Sequence, residues 1–249
     1  MLILLPPSET KRPGGRGRPL DVGGLAMPAL APQRVAVVDA LVALSADEAE
    51  AARVLKLGRT QLGEVAVNAA LHEAPTMPAV DRYTGVLFDA LDAASLPAVS
   101  RRWLGAHVRV HSAPFGPVGA LDAIPSYRLG ASASLPGLAS LKKVWADAVT
   151  AALAEERPRF VLDLRSEAYV ALGPVPTSVP SAYVRVVSES EGGAVRALNH
   201  FNKHAKGALV RRLAEDRPRV NSLAGFVSWA DAAGLRVRAG KPGELELFA

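Results

Sequence analysis

Cysteine is absent from the 249-residue chain. That excludes disulfides, thiolate zinc sites, cysteine-held iron–sulfur clusters and any cysteine nucleophile. Long apolar runs are absent too. No stretch approaches the roughly 18 uncharged apolar residues of a membrane span, and Val35–Leu44 is interrupted by Asp39. The opening MLILLPP is too short for a secretory signal, has no basic segment before it and is followed by charge. The expectation is a soluble, cytoplasmic protein with no membrane partner. The usual catalytic signatures are also missing: no GxxxxGK[ST], no GxSxG and no HExxH occurs, and Gly15-Arg16-Gly17 continues as Arg18-Pro19-Leu20 rather than GxGxxG.

What is present is a folded globular composition, 49% hydrophobic and 21% charged. With 29 basic and 24 acidic side chains the net charge is +5. A pI near 9.7 permits an acidic partner such as nucleic acid without requiring one.

Two short apolar runs, Met1–Leu5 and Phe160–Leu164, read as buried strands. Each is followed by a polar Ser-Glu segment, Ser8-Glu9-Thr10-Lys11 and Arg165-Ser166-Glu167. Both segments are expected to leave the same edge of one sheet, where mixed sheets often place sites. Ser8–Gly24, rich in Gly, Pro and Arg, reads as a mobile loop. Residues 33–72 look helical, with Ser45 as an N-cap candidate. Short helices are expected at Tyr83–Leu91 and Leu96–Leu104, a strand at Val108–Val110, and a long irregular segment over Ser112–Leu129. A helix over Leu138–Leu153 follows. Ala182–Val187 reads as a strand paired with Val195–Leu198 through a Gly192-Gly193 turn. Helices near 201–215 and 222–233, the second capped by Ser222, precede strands at Leu235–Val237 and Glu244–Phe248. The elements do not alternate strictly. The expectation is a single α+β (mixed α/β) domain over residues 1–249, a central mixed sheet flanked by helices with a basic groove, and not a doubly wound fold.

The helix from His200 to Leu213 is the most informative element. At about 100° per residue, Phe201, Ala205, Ala208, Leu209 and Leu213 fall on one side. His200, Lys203, His204, Lys206 and Arg211 fall on the other. Gly207 lies in the basic arc, where it would let a phosphate backbone approach. Two readings stay open, a phosphate surface or a solvated basic face. Lys11, Arg12, Arg16 and Arg18 could drape along a phosphate backbone or only solubilise a loop. The Ser-Glu segments are a cleft or two helix caps. His200 with His204, and His107 with His111, lack a carboxylate at metal-binding spacing, so no metal or cofactor is expected. Leu135-Pro136-Gly137-Leu138, with Lys142 and Lys143 behind it, is similar to the hairpin of a helix-hairpin-helix DNA module, but Ala139 replaces the second glycine and Tyr127–Ser134 is a poor helix, so the expectation is a loop entering a helix.

Assembled, these motifs resemble the YaaA family of peroxide-stress proteins. The segments are LILLPPSETK (2–11), RYTGVLFDAL (82–91), HSAPFGPVGALDAIPSYRL (111–129), Trp145 within its helix, VLDLRSEAYVAL (161–172) and NKHAKGALVR (202–211). The resemblance implies a mixed single-domain fold with a positively charged groove, DNA binding, and a part in limiting free iron during peroxide stress. It implies no settled enzymatic activity. The sequence carries no recognition-helix signature or zinc module, so DNA binding is expected to be without sequence specificity. Lys206 stands where the family often has Arg. Phe115 replaces a Tyr, and uncharged Gly173–Pro180 replaces a basic stretch. Ser8, Lys11, Arg82, Tyr127 and Arg128 are the candidate phosphate contacts from the first half of the chain. Ser166, Lys203, Lys206 and Arg211 are those from the second. The rival reading is an enzyme acting on a nucleotide or other phosphate-bearing small molecule. Glu9 and Glu167 are then the catalytic acid and base, and Lys203, Lys206 and Arg128 hold the anion. A scaffold whose basic face meets an acidic protein is the third.

Overall fold

The first apolar run forms strand β1 (Leu2–Leu5), all four residues buried, in a computed structural model that describes residues 1–189, 195–196 and 199–248. The remaining strands are β2 (Met77–Pro78), β3 (Val108–Ser112), β4 (Gly116–Gly119), β5 (Ala123–Ile124), β6 (Val161–Asp163), β7 (Ser181–Glu189), β8 (Val195–Arg196), β9 (Val237–Ala239) and β10 (Glu244–Phe248). The helices are α1 (Ala31–Leu44), α2 (Glu48–Leu55), α3 (Gly63–Ala69), α4 (Ala79–Arg82), α5 (Val86–Leu91), α6 (Ala98–His107), α7 (Leu141–Glu156), α8 (Glu167–Val170), α9 (Asn199–Asp216) and α10 (Leu223–Ala232). The Gly192-Gly193 turn and residues 197–198 lie outside the described residues, as do the side chains of His200 and Phe201. β8 pairs antiparallel with the end of β7, as the hairpin reading requires.

The main sheet runs in the order β4-β3-β1-β6-β7-β10-β9. β1 is parallel to both neighbours, β3 and β6, and the parallel run continues through β7 to β10. β4 and β9 close the two edges antiparallel. The sheet is mixed, as the sequence led us to expect. Taken in chain order, its five parallel strands nevertheless lie 2-1-3-4-5, the order of a doubly wound sheet. Strict alternation is lost because six helices separate β1 from β3, while only the one-turn α8 separates β6 from β7. The order reverses between β1 and β6, and the space beyond the carboxyl ends at such a reversal is where open sheets form their ligand crevice. β1 and β6 pair in register Leu2↔Val161 to Leu4↔Asp163, which sends both Ser-Glu segments out of that edge.

Three local expectations need correction. Ser45 does not open a helix. It closes α1, its hydroxyl donating to the Leu41 carbonyl at 2.8 Å, and Asp47 caps α2 by accepting from the Glu50 N–H. The Ser8–Gly24 loop is tied down by backbone bonds from Arg12 N–H to Arg82 O (2.8 Å) and from Gly17 N–H to Thr76 O (2.9 Å). Gly15 and Gly17 pass so close to Thr76 that a Cβ on either would stand 2.5 Å and 2.3 Å from it. The third correction concerns α9. Its buried side includes Lys206, Gly207, Leu209, Val210 and Leu213, while Ala208 is exposed. The helix packs on α5 as well as on β7, so a polar residue can be buried outside the apolar arc.

Candidate functional site

The carboxyl ends of β1 and β6 carry two groups of side chains. In the first, Lys11 lies beside Tyr83, to which it is joined by an isolated antiparallel bridge. Its Nζ stands 4.0 Å from the Tyr127 ring centre and donates to the Glu9 carbonyl at 3.1 Å. Below it the Tyr83 and Tyr127 hydroxyls are 2.8 Å apart, and the Ser112 hydroxyl joins them. Both tyrosines are buried, and burial raises their pKa values. The same loss of solvent brings the Lys11 ammonium down to about 7, against the pull of Glu64. Arg128 flanks this group. Its backbone is clamped by Asn68 of α3, which accepts from its N–H at 2.7 Å and donates to its carbonyl at 2.9 Å. The Arg128 guanidinium reaches Glu9 at 3.3 Å.

The second group centres on Lys206, only 5% exposed. Its Nζ lies 5.5 Å from the Tyr183 ring centre. Desolvation lowers its pKa to about 8, with Asp163 raising it and Arg185 lowering it further. Asp163 cannot take the ammonium easily, because both its oxygens already bind the buried Arg165, at 2.9 and 2.6 Å. Arg165 also donates to the Gly173 carbonyl at 2.8 Å and to His111 Nδ1 at 2.9 Å. A guanidinium can only donate, so Nδ1 accepts and the His111 proton sits on Nε2. That Nε2 is buried without a partner, and burial holds the imidazole pKa well below its ordinary value. On α9, one turn before Lys206, the Asn202 Oδ1 is likewise buried and unpartnered.

Of the residues read from the sequence, Ser8, Glu9, Lys11, Tyr127, Arg128, Ser166, Glu167 and Lys206 are gathered around this edge. Glu9 and Glu167 are not desolvated: their side chains are 80% and 76% exposed, each beside an arginine. Nothing in the packing shapes either one as a buried acid. Lys203 is exposed on the outer face of α9. Arg82 is a structural residue. All five of its N–H groups go to the carbonyls of Arg12, Gly14, Pro75 and Ile124, so none remains for a phosphate. Arg211 caps α5, donating to the Leu91 and Asp92 carbonyls and to Ser95 Oγ. Gly207 is a helix-packing residue and not a phosphate approach: a Cβ there would stand 2.1 Å from the Leu87 carbonyl oxygen. Leu135–Leu138 is a turn before α7, as expected.

Sequence reasoning placed Arg165 in the polar segment at this edge without giving it a role, and gave none to His111, Asp163 or Asn202. The Asp-x-Arg spacing at 163 and 165 was the available signal, a carboxylate and guanidinium at the end of a buried strand. Beyond the crevice, Arg12, Arg16 and Arg18 are exposed on the fixed loop, and no hydrogen bond or ion pair engages their side chains among the described residues. Arg12 and Arg16 rim an open depression of about 750 Å³ floored by Thr76, Met77 and Pro78.

Residues 1–239 match a family model described as "Peroxide stress protein YaaA". A UPF0246 protein of Corynebacterium glutamicum is 43% identical over 243 residues, covering 95% of this chain and 94% of its own length. One from Corynebacterium efficiens is 45% identical with the same coverage. One from Streptomyces coelicolor is 43% identical over 219 residues, 86% of this chain and 82% of its own.

Proposed function

The chain belongs to the YaaA family of peroxide stress proteins, and from that premise we propose that it acts in the cytoplasm by binding DNA without sequence preference, helping to keep free iron low under peroxide. One observation carries the DNA reading. Arg12, Arg16 and Arg18 present guanidiniums with unengaged donors from a loop whose backbone is fixed, next to Lys11 at the mouth of the crevice. Fixing the loop backbone in advance removes that part of the ordering cost when these side chains meet a phosphate backbone. Among the described residues no recognition-helix or zinc module offers base contacts, so affinity comes from phosphate neutralisation.

Fluorescence anisotropy of labelled duplexes at several salt concentrations tests this. Affinity should fall steeply with salt, and changing Arg12, Arg16 and Arg18 together to Ala should flatten the log–log slope by up to about 3, near 0.9 per lost contact. Binding that ignores salt, strongly prefers one sequence, or survives the triple change with its slope intact refutes the reading. In peroxide-treated cells lacking the protein, the chelatable iron pool should rise and be restored by the parent but not by the triple variant. If the triple variant restores it fully, DNA binding is not the route to iron control.

The desolvated Lys206 and Lys11 favour a second reading, a covalent or acid–base chemistry on a phosphate-bearing molecule in the same crevice. Ordinary phosphate contacts are made by solvated, fully charged lysines. An amine held near its neutral form suits reaction better than charge pairing.

A further inference from the structure

We propose that Lys206 is an amine nucleophile that captures an aldehyde carried on a phosphate-bearing ligand, forming an imine at the carboxyl edge of the sheet. This deepens the proposed phosphate-binding function and rests on it.

Three observations lead here. First, Lys206 is 95% removed from solvent, yet its ammonium makes no hydrogen bond among the described residues. An ammonium so little hydrated and without a protein acceptor is held at a cost, and Asp163, the buried carboxylate near it among the described residues, is already bound through both oxygens to Arg165. Second, the Nζ lies against the Tyr183 ring, and the Arg185 cation, itself paired with Glu167 and Glu244, acts on it from nearby. An apolar surround and a neighbouring positive charge are the two devices that keep a lysine neutral enough to attack a carbonyl. Third, the Asn202 Oδ1 one helical turn away is buried and unsatisfied. A ligand hydroxyl or amino group can fill that acceptor, as a sugar hydroxyl beside an aldehyde would. The position fits as well. Leu4, Asp163 and Tyr183 are register partners at the strand-order reversal, where open sheets bind their ligands.

The step balances without an oxidant. The neutral Nζ lone pair adds to the aldehyde carbon, and the carbonyl oxygen takes up protons. Water then leaves with that oxygen and both amine hydrogens, giving C=N and one water. Two sources supply such an aldehyde: the ring-opened sugar of an abasic site in DNA, and a free pentose 5-phosphate. Hydroxyl radicals formed under peroxide strip bases from deoxyribose, so the first matches the family's physiology.

Borohydride trapping of the full-length protein separates the cases. The protein is mixed with a duplex bearing one abasic site, with the intact duplex, or with deoxyribose 5-phosphate, then reduced, and adducts are mapped by peptide mass. Intact-duplex binding is measured in parallel by anisotropy. The expected result is an adduct on Lys206 from the abasic duplex and none from the intact one, with trapping faster as pH rises through about 8. Lys206→Arg should lose the adduct when compared at equal fraction bound, and Lys206→Met serves as the second variant if the first does not fold. If the intact duplex binds and neither aldehyde is trapped, the imine proposal is overturned while the DNA reading stands. An adduct on Lys206 from the sugar phosphate, with no duplex binding, keeps the imine and overturns the DNA reading. An adduct on Lys11 or on surface lysines, or one that persists in Lys206→Arg, overturns the assignment.

Discussion

Gly207→Ala should destabilise the protein, against the normal trend for a helix interior. Alanine is ordinarily better than glycine in a helix by about 1 kcal/mol. Here the new methyl would stand 2.1 Å from the Leu87 carbonyl oxygen, 3.0 Å from its carbon and 2.9 Å from the Ala90 Cβ. Two of those atoms are backbone, so no rotamer change relieves the clash. The α5 and α9 backbones must part by roughly an ångström to restore van der Waals contact, and overpacking of this kind costs about 1–3 kcal/mol. A rigid backbone contact belongs near the upper end, leaving a net loss of about 2 kcal/mol after the helix gain. For a chain of this size that is a fall in melting temperature of about 4–8 °C. Urea titration with an unchanged m-value is the assay. Gly225→Ala is the control, because in α10 the added methyl meets only Ser222 Oγ at 3.4 Å, an ordinary contact. That variant should be as stable as the parent or slightly more so. If Gly207→Ala is also neutral or stabilising while DNA binding weakens, the glycine serves ligand approach and the packing account is wrong.

Arg82→Lys should cost at least about 3 kcal/mol, since one ammonium cannot serve the four carbonyls now held by the guanidinium fork; a urea midpoint matching the parent's counts against this. Stability should fall as pH drops from about 6.5 to 5, because folded His111 resists protonation that the unfolded chain accepts. His111→Gln should flatten that window, and a parent curve already flat there contradicts the assignment. Lys206→Met should stabilise the protein at pH 7 and reduce the rise of stability between about pH 8 and the ordinary lysine value of 10.5, since the unfolded lysine holds its proton through that range and the folded one does not. Loss of stability at pH 7 would mean that the ammonium has a compensating partner.

How much of this was legible depended on how each residue type is usually used. The two strands β1 and β6 were readable because short apolar runs ending in proline or polar residues have few alternatives, and their shared edge followed. The strand-order reversal was not readable. It depends on which side of β1 the chain returns to after more than a hundred residues, and local periodicity carries no such information. β4 and β5 were missed inside the Pro- and Gly-rich 112–129 segment, because edge strands tolerate those residues while propensity argues against strand. The tethering of the 8–24 loop was hidden for a related reason. Its partner, Thr76, is far away in sequence, and glycines that signal mobility equally permit close approach.

The site was misread mainly through its arginines and its basic helix. Arginine is read as a surface cation, yet Arg34, Arg82 and Arg165 are fully buried. Arg34 and Arg82 end on backbone carbonyls and Arg165 on Asp163, so these charges lie inside the fold and add little to a field at its surface. The helical wheel placed Lys206 opposite the apolar arc, which is where a solvated phosphate contact belongs. It could not register that α9 is enclosed by α5 on one side and β7 on another. Burial then changes what the same residue can do. A solvated lysine is a fixed charge, whereas a desolvated one near Arg185, with the buried Asp163 carboxylate already taken, is a tunable amine. The residues named for phosphate binding therefore divide into two kinds. Arg12, Arg16 and Arg18 keep full charge in water and suit the backbone of a nucleic acid. Lys206 and Lys11, with pKa values lowered to about 8 and about 7, each supply a fraction of neutral amine close to neutral pH while keeping the rest charged.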